Sequence, residues 1–476
     1  MKDINIREAL AAVVVSVVSS GCDNVGPPPT GTKIVRVVPH SDEPKGPSAT
    51  VPAARSPAGA SAQAPPLPDE VNAMIPVPGC SCGPGYYPIP TAEPFYQASL
   101  TATREGRFGD ALDSASRADS VGMGLSTYRN QLAIALFNTG RAEEALAKWS
   151  EIAQGSPAGC ELGFYADALL KLERPVEAET IARRYVNQCP QSSAAHYCLA
   201  LALDRLGKWD MADQEVTESI KLDSSDAVGY HLRSQVREKR NLLDASLTDA
   251  RTAVRLKPDD GDCHFREAVV LWKMDRYSEA RQPIANASRL SPENAMFHHL
   301  RSMILEHANE LDEALRAARV AVALDASVAD YHYREAAVLW EMDRCSEARR
   351  AISAAAKLSP KDAGIHYLRS MILEKVEELD EALQAAKDAV EIDSNDSSNF
   401  RQLGDVYEAL ERPAEAIQAF DRSLALKFAP GVLYSRAMCH NKIGQRSAAL
   451  RDLRELERKS PNFLNTRDWI ESLEGQ

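Results

Sequence analysis

The stretch HFREAVVLWKMDRYSEAR at residues 264–281 returns almost unchanged as HYREAAVLWEMDRCSEAR at residues 332–349. The two copies start 68 residues apart, and LRSMILE keeps the same offset at 300–306 and 368–374. This offset is twice 34 residues, a period at which helix pairs repeat in stacked arrays. One such pair cannot bury its apolar face alone, so the pattern predicts a series of stacked helical hairpins.

A single copy of the unit is clearest in FRQLGDVYEALERPAEAIQAFDRSLAL, residues 400–426. It resembles the tetratricopeptide repeat, whose first helix has the pattern W-x2-L-G-x2-Y and whose second helix has small and aromatic positions. The matching residues are Phe400, Leu403, Gly404 and Tyr407 on the first helix and Ala416, Phe420 and Ser423 on the second. The resemblance implies an all-α solenoid that binds its ligands in a concave groove formed by the first helices.

The same marks predict eleven repeats over residues 92–463 and a capping helix over residues 464–476. The predicted repeat starts are Ala92, Ser126, Gly159, Ser193, Ala227, Gly261, Ala295, Ala329, Ala363, Ser397 and Pro430. Four glycines fall at the predicted turns between paired helices: Gly106, Gly140, Gly207 and Gly444. The closing segment TRDWIESLEGQ is amphipathic and would cover the last repeat with a polar outer face, as repeat arrays require.

The N-terminal part has a different character. Residues 13–29 read VVVSVVSSGCDNVGPPP, a short apolar run followed by small residues and one cysteine. This resembles a bacterial lipoprotein signal, which implies that residues 1–21 are removed and that Cys22 is lipidated. Sixteen of the 27 prolines lie between residues 23 and 91. The segment 22–91 is therefore predicted to begin at the lipidated cysteine and continue as a disordered tether. An ordinary cleaved signal and an uncleaved cytosolic N-terminus are the alternatives.

Charge and motif content exclude several functions. The formal net charge is -13, which predicts no nucleic-acid partner, since such binding needs a basic surface. The sequence has no phosphate-binding glycine loop, no H-E-x-x-H and no G-x-S-x-G. We therefore expect no enzymatic activity, no cofactor and no metal.

Two residue types invite other interpretations. A disulfide between Cys160 and Cys189 is predicted for an exported protein, because antiparallel pairing brings together the helix ends that carry them. Cys80 and Cys82 form a lone C-x-C, a weak metal signal with no assigned role. Histidines recur at the fourth residue of five repeats, where neighbours are too far apart to share a metal, and we predict that they pack between helices: His196, His264, His298, His332 and His366.

The fifth and twelfth residues of each repeat lie seven residues apart and share one face of the first helix. The candidate partner-binding residues on this face are Tyr197, His231, Glu238, Phe265, Trp272, His299, Glu306, Tyr333, Trp340, Tyr367 and Glu374. Aromatic rings can anchor a peptide, and the carboxylates favour cationic segments. Packing between helices is the competing interpretation of the same residues.

Together these features predict a non-catalytic scaffold or assembly factor that binds a protein or peptide partner. Its membrane contact would be the lipid anchor alone, at a bacterial cell envelope. Two alternatives stay open: a glycan- or peptidoglycan-binding envelope module, since aromatic grooves can stack sugars, and a cytoplasmic adaptor built from the same repeats.

Overall fold

The computed structural model describes residues 89–475 except 124, 156–158, 462 and 465. The predicted signal peptide, Cys22, Cys80 and Cys82 lie outside the described residues. Every regular element in the described part of the chain is a helix. The prediction of an all-α repeat fold is confirmed.

All described helices except the last pair into eleven hairpins, each with a first and a second helix. The hairpins before residue 257 are α1 (Glu93–Arg104) with α2 (Phe108–Val121), α3 (Ser126–Asn138) with α4 (Ala142–Gln154), α5 (Gly159–Lys171) with α6 (Pro175–Gln188), α7 (Ser193–Arg205) with α8 (Trp209–Leu222), and α9 (Ala227–Lys239) with α10 (Leu243–Leu256).

The hairpins after residue 256 are α11 (Gly261–Lys273) with α12 (Tyr277–Leu290), α13 (Ala295–His307) with α14 (Leu311–Leu324), α15 (Ala329–Glu341) with α16 (Cys345–Leu358), α17 (Ala363–Lys375) with α18 (Leu379–Ile392), α19 (Ser397–Ala409) with α20 (Pro413–Leu426), and α21 (Pro430–Lys442) with α22 (Arg446–Lys459). A single helix, α23 (Thr466–Gly475), follows. All first helices except α1 begin at the residue where the sequence places a repeat start.

These boundaries follow from local chemistry. A polar side chain precedes most first helices from α7 onward and accepts a hydrogen bond from the free backbone N–H groups of the first turn. Asp226 accepts from Val228 N at 3.0 Å, and Asp362 accepts from Ile365 N at 3.1 Å. The turn inside each hairpin needs a left-handed residue, and Gly106 supplies it with a φ of 72°. Asp343 takes the same conformation without being glycine, with a φ of 59°.

Within each of two compact units the core lies between the helices of each hairpin and between adjacent hairpins. The described residues form two compact units, 89–256 and 257–475. In the first unit Trp149 is 1% exposed and packs near Phe137. In the second unit Gly404 allows a close approach, because a Cβ there would lie 2.3 Å from Cε1 of Phe420.

Helix α23 closes the second unit. Its Ile470 and Leu473 are buried against Ala437, Ala449 and Leu453 of the last hairpin. Its outer side carries exposed charges, including Arg467, which pairs with Glu457 at 3.0 Å. The helix therefore gives the apolar end of the last repeat a polar cover.

Candidate functional site

The candidate binding surface is the face of the first helices defined by the fifth and twelfth residues of each repeat, hereafter the first-helix face. Tyr197, His231 and Glu238 lie on it in the unit 89–256. The other eight candidates lie on it in the unit 257–475: Phe265, Trp272, His299, Glu306, Tyr333, Trp340, Tyr367 and Glu374.

Several of the candidate aromatic rings are buried. Trp272 and Tyr333 are each 6% exposed, and Tyr367 is 8% exposed. Phe265 is half-buried and stacks on Phe297, with ring centroids 4.7 Å apart. These side chains contribute to packing, whether or not they also contact a partner. Their assignment to partner binding stays a prediction.

Carboxylates at the twelfth position are engaged by the next repeat. Glu306 forms an ion pair with the buried guanidinium of Arg334. Glu374 accepts a hydrogen bond from Gln402 Nε2 at 2.8 Å. Because Glu306 is already paired with a cation, it attracts an external cation less strongly than an unpaired carboxylate would.

Trp340 occupies the twelfth position of its own repeat and keeps part of its ring exposed. The Nζ atom of Lys375, one repeat later, lies 5.0 Å from the ring centroid, within the range of a cation–π contact. Lys375 also forms an ion pair with Asp343. A partner that stacks on Trp340 would have to displace this lysine.

The candidates in the first unit, together with His299, are partly buried. The phenol of Tyr197 is buried, and burial raises its pKa. His231 Nε2 lies 3.2 Å from Gln235 Nε2, and Glu238 is half-buried. Burial lowers the pKa of His299 to about 3, so its imidazole is neutral at pH 7. These side chains form part of the surface of the first-helix face, and His299 adds no positive charge to it at pH 7.

The recurrent histidines share one structural role. In each case Nε2 donates to the carbonyl oxygen six residues earlier, in the turn before the helix. The distances are 3.1 Å for His196 to Pro190, 2.9 Å for His264 to Pro258, 3.0 Å for His298 to Pro292, 3.1 Å for His332 to Ala326 and 3.1 Å for His366 to Pro360. The bond ties a first helix to the chain segment that enters it. Within the described part of the chain no group of His, Cys, Asp or Glu side chains is arranged to hold a metal ion.

The cysteines in the described region are buried or partly buried. Burial raises the pKa of Cys198, Cys263 and Cys439 to about 12, so these thiols are poor nucleophiles at neutral pH. Cys189 is 4% exposed, and a Cβ at Gly159 would lie 2.3 Å from its Sγ atom. The side chain of Cys160 lies outside the described residues, and its disulfide with Cys189 stays a prediction.

Three groups that the sequence did not single out also shape this face. Arg401 replaces the aromatic residue at the fifth position, and its Nη2 donates to Tyr367 Oη at 2.6 Å. Asp330 and Asp362 lie at the start of α15 and just before α17. The recurrence of Asp immediately before first helices could have indicated Asp362, whereas the position of Arg401 beside Tyr367 depends on packing between repeats.

Comparison with protein families agrees with these hairpins. Residues 265–329 and 333–397 match one tetratricopeptide repeat model, and residues 402–430 match a second. These segments therefore carry tetratricopeptide repeats, units that generally serve as non-catalytic protein-interaction scaffolds. No curated protein sequence matches the chain significantly.

Solved structures with a similar arrangement of helices are distant in sequence. The Cut9–Hcn1 hetero-tetramer of the APC/C aligns over 81% of this chain and 96% of its own, with 13% identity and a TM-score of 0.40. PilF of Pseudomonas aeruginosa aligns over 44% and 97%, with 17% identity and a TM-score of 0.40. Yeast Tom70 aligns over 81% and 96%, with 12% identity and a TM-score of 0.37. At these values the likeness carries no argument about what this chain binds.

The described helices are also short. None of them is long and apolar enough to cross a membrane.

Proposed function

We propose that this protein is a non-catalytic scaffold, lipid-anchored at a bacterial envelope, that binds a protein partner on its first-helix face. One observation carries the proposal. In each unit successive first helices are separated by one second helix only, so equivalent positions recur about every 34 residues. A surface that repeats in this way suits an extended polypeptide, whose contacts also recur along its length.

Accessible side chains on this face fit such a partner. Phe265, Met296, Trp340 and Met371 are all partly exposed in the unit 257–475. Met371 follows Tyr367 by four residues and precedes Glu374 by three, so it shares their face of the helix. Partly exposed methionine and aromatic side chains adapt to apolar groups of a peptide. The buried rings behind them would hold the surface rigid.

The anchor is supported by the sequence around Cys22, where a short apolar run and small residues precede the cysteine. A proline-rich segment follows it and would let the repeats reach a partner away from the membrane. The test is fractionation of cells that express the full chain or Cys22→Ala. The proposal expects the wild type with membranes and the variant released. A variant that sediments with membranes like the wild type would rule out the anchor.

The scaffold function has a separate test. Phe265→Ala with Met371→Ala should weaken capture of the partner by about tenfold, since truncating this pair of partly buried apolar anchors should cost on the order of 1–2 kcal/mol in total. The matched control is Arg316→Ala with Gln384→Ala, two exposed positions on second helices. Equal loss from both pairs would argue against the first-helix face.

A further inference from the structure

The ring of Trp340 is covered by a cation that the chain itself supplies. Trp340 is the twelfth residue of its repeat, on α15, and its ring is half-buried against a cluster of buried apolar side chains. The Nζ atom of Lys375, the last residue of α17, lies 5.0 Å from the ring centroid. An ammonium group at this distance is attracted to the electron-rich face of the ring.

The same ammonium group is bound by a carboxylate. Lys375 forms an ion pair with Asp343, which lies in the turn between α15 and α16. The hydrogen bond from Lys375 lowers the pKa of Asp343, so this carboxylate is ionised at neutral pH. An aromatic face and a carboxylate therefore meet around one ammonium group, and this is the chemistry that a lysine-binding site needs.

Both charged members of this arrangement are open to water. The side chain of Lys375 is 47% exposed and that of Asp343 is 74% exposed. At such exposure an ion pair and a cation–π contact are each weak, because water competes for the charge. Lys375 can therefore leave the ring at low cost, whereas the indole is held in place by the buried side chains behind it.

The tryptophan and the aspartate recur 68 residues earlier as Trp272 and Asp275, but their surroundings differ. The Tyr277 hydroxyl donates to Asp275 Oδ1 at 2.6 Å. The ring of Tyr277 also stacks on His307, with centroids 4.3 Å apart. Trp272 is 6% exposed, so its ring offers little surface to a ligand.

The later copy replaces both of these aromatic neighbours. Cys345 stands in the place of Tyr277, and Lys375 stands in the place of His307. The Cys345 thiol is a weak donor, and its Sγ atom lies 3.8 Å from Asp343 Oδ1. A stacked pair of rings is thus exchanged for one flexible lysine side chain, and the tryptophan of the later copy is partly exposed.

We propose that Trp340 and Asp343 form a binding site for a lysine side chain of the partner polypeptide, and that Lys375 occupies this site until the partner displaces it. The inference rests on the proposed function, and it specifies the chemistry of the partner and a competitor within the chain. The apparent affinity for the partner lysine is reduced to the fraction of molecules in which Lys375 has left the site. Removing Lys375 should therefore tighten binding.

The test follows the indole of Trp340 in the full chain by fluorine NMR. The chain has five tryptophans, and 5-fluorotryptophan labels all of them, so Trp340→Leu serves to identify the signal of residue 340. The probe is an end-blocked glycine/serine peptide with three lysines, and its matched counterpart has acetyl-lysine at those positions. Acetylation keeps the aliphatic stem and removes the charge. Salt is held at about 150 mM so that long-range attraction to the acidic chain is screened.

Two variants address the site, and each has a control with the same change in net charge. Lys375→Ala removes the competitor, and its control is Lys442→Ala, a lysine at the same position of the last repeat that pairs with Glu408 at 2.7 Å. Asp343→Asn is added to Lys375→Ala, so that its effect on the competitor does not mask its effect on the peptide. Asparagine tolerates the left-handed conformation of this turn residue, whose φ is 59°. The control for this step adds Asp312→Asn, an exposed carboxylate on α14, to the same background.

We expect the lysine peptide to shift the Trp340 signal at concentrations about tenfold lower than the acetyl-lysine peptide, because both contacts of the ammonium need its charge. Lys375→Ala should tighten lysine-peptide binding about fivefold. Adding Asp343→Asn should then weaken it about threefold, while each control stays within about twofold of its parent.

Two results from the peptide would refute the site: equal gains from Lys375→Ala and Lys442→Ala, or a Trp340 signal that does not respond to the lysine peptide. A third result concerns the partner itself. A partner that needs Phe265 and Met371 but binds the wild type and Lys375→Ala equally well would also refute the site, and it would leave the scaffold function standing.

Discussion

The ion pair between Arg334 and Glu306 offers the sharpest test of how the first-helix face is built. Arg334 is buried and Glu306 is mostly buried, with 5% and 14% of their side-chain surface exposed. Arg334→Leu would leave the Glu306 carboxylate buried without its cation. Loss of one partner of a buried pair costs about 3 kcal/mol or more. Local opening of α13 and α15 should become easier by the same free energy.

That free energy corresponds to on the order of a 100-fold increase in the rate of amide exchange. Hydrogen exchange with mass spectrometry on the full chain measures it for peptides from α13 and α15. Replacing both partners, Arg334→Leu with Glu306→Gln, should recover most of the protection. Leucine fits this position, because Leu300 and Leu368 occupy the sixth residue of the adjacent repeats.

The control is Arg316→Leu, which removes an exposed partner of Glu313 at 3.5 Å. Exposed pairs contribute little because water and salt screen them, and exchange should change less than twofold. Unchanged exchange in Arg334→Leu would show that Glu306 is not held by this pair. A double variant as unprotected as the single one would show that packing, and not charge, sets the effect.

Three further changes have defined outcomes. Gly404→Ala should destabilise the chain by about 1–3 kcal/mol in urea unfolding, because the new methyl overlaps Phe420. Adding Phe420→Leu should restore part of this loss. A Gly404→Ala chain as stable as the wild type would contradict the close approach of the two helices. The folded pKa of His299, about 3, is below its unfolded value near 6.5, so its contribution to stability is complete above pH 6.5 and is lost as the pH falls toward 3. The free energy of unfolding of His299→Phe should therefore fall less between pH 7 and 5 than that of the wild type. Equal pH slopes for the two proteins would contradict the pKa shift. Iodoacetamide should label three buried thiols only after the chain unfolds, as peptide mass spectrometry can show: Cys198, Cys263 and Cys439. Rapid labelling of the native chain would mean that these thiols are not buried.

Much of the fold could be predicted from the sequence because its signals are local. The 34-residue period, the polar cap before most first helices and the turn residue inside each hairpin are each set by a few adjacent residues. Helices α17 and α19 begin where Asp362 and Asp396 place them, since the caps act within one turn. The resemblance to tetratricopeptide repeats needed no information about contacts between repeats.

The first-helix face was harder to predict because its properties depend on neighbouring repeats. Helical spacing places Trp272 and Trp340 on one face, but it cannot tell that the first is buried and that the second lies beneath Lys375. Likewise, the sequence alone does not show that Glu306 forms an ion pair, because its partner Arg334 lies 28 residues later in the chain.

The central claim is that a protein partner lies along the first-helix face, and site-specific photo-cross-linking in cells tests it most directly. A photoreactive residue would replace Met296 or Met371 on first helices, and Arg316 or Gln384 on second helices, one position at a time in the full chain. The account predicts a discrete cross-linked partner from Met296 and Met371 and none from Arg316 and Gln384. Cross-links that arise only from the second helices would contradict it.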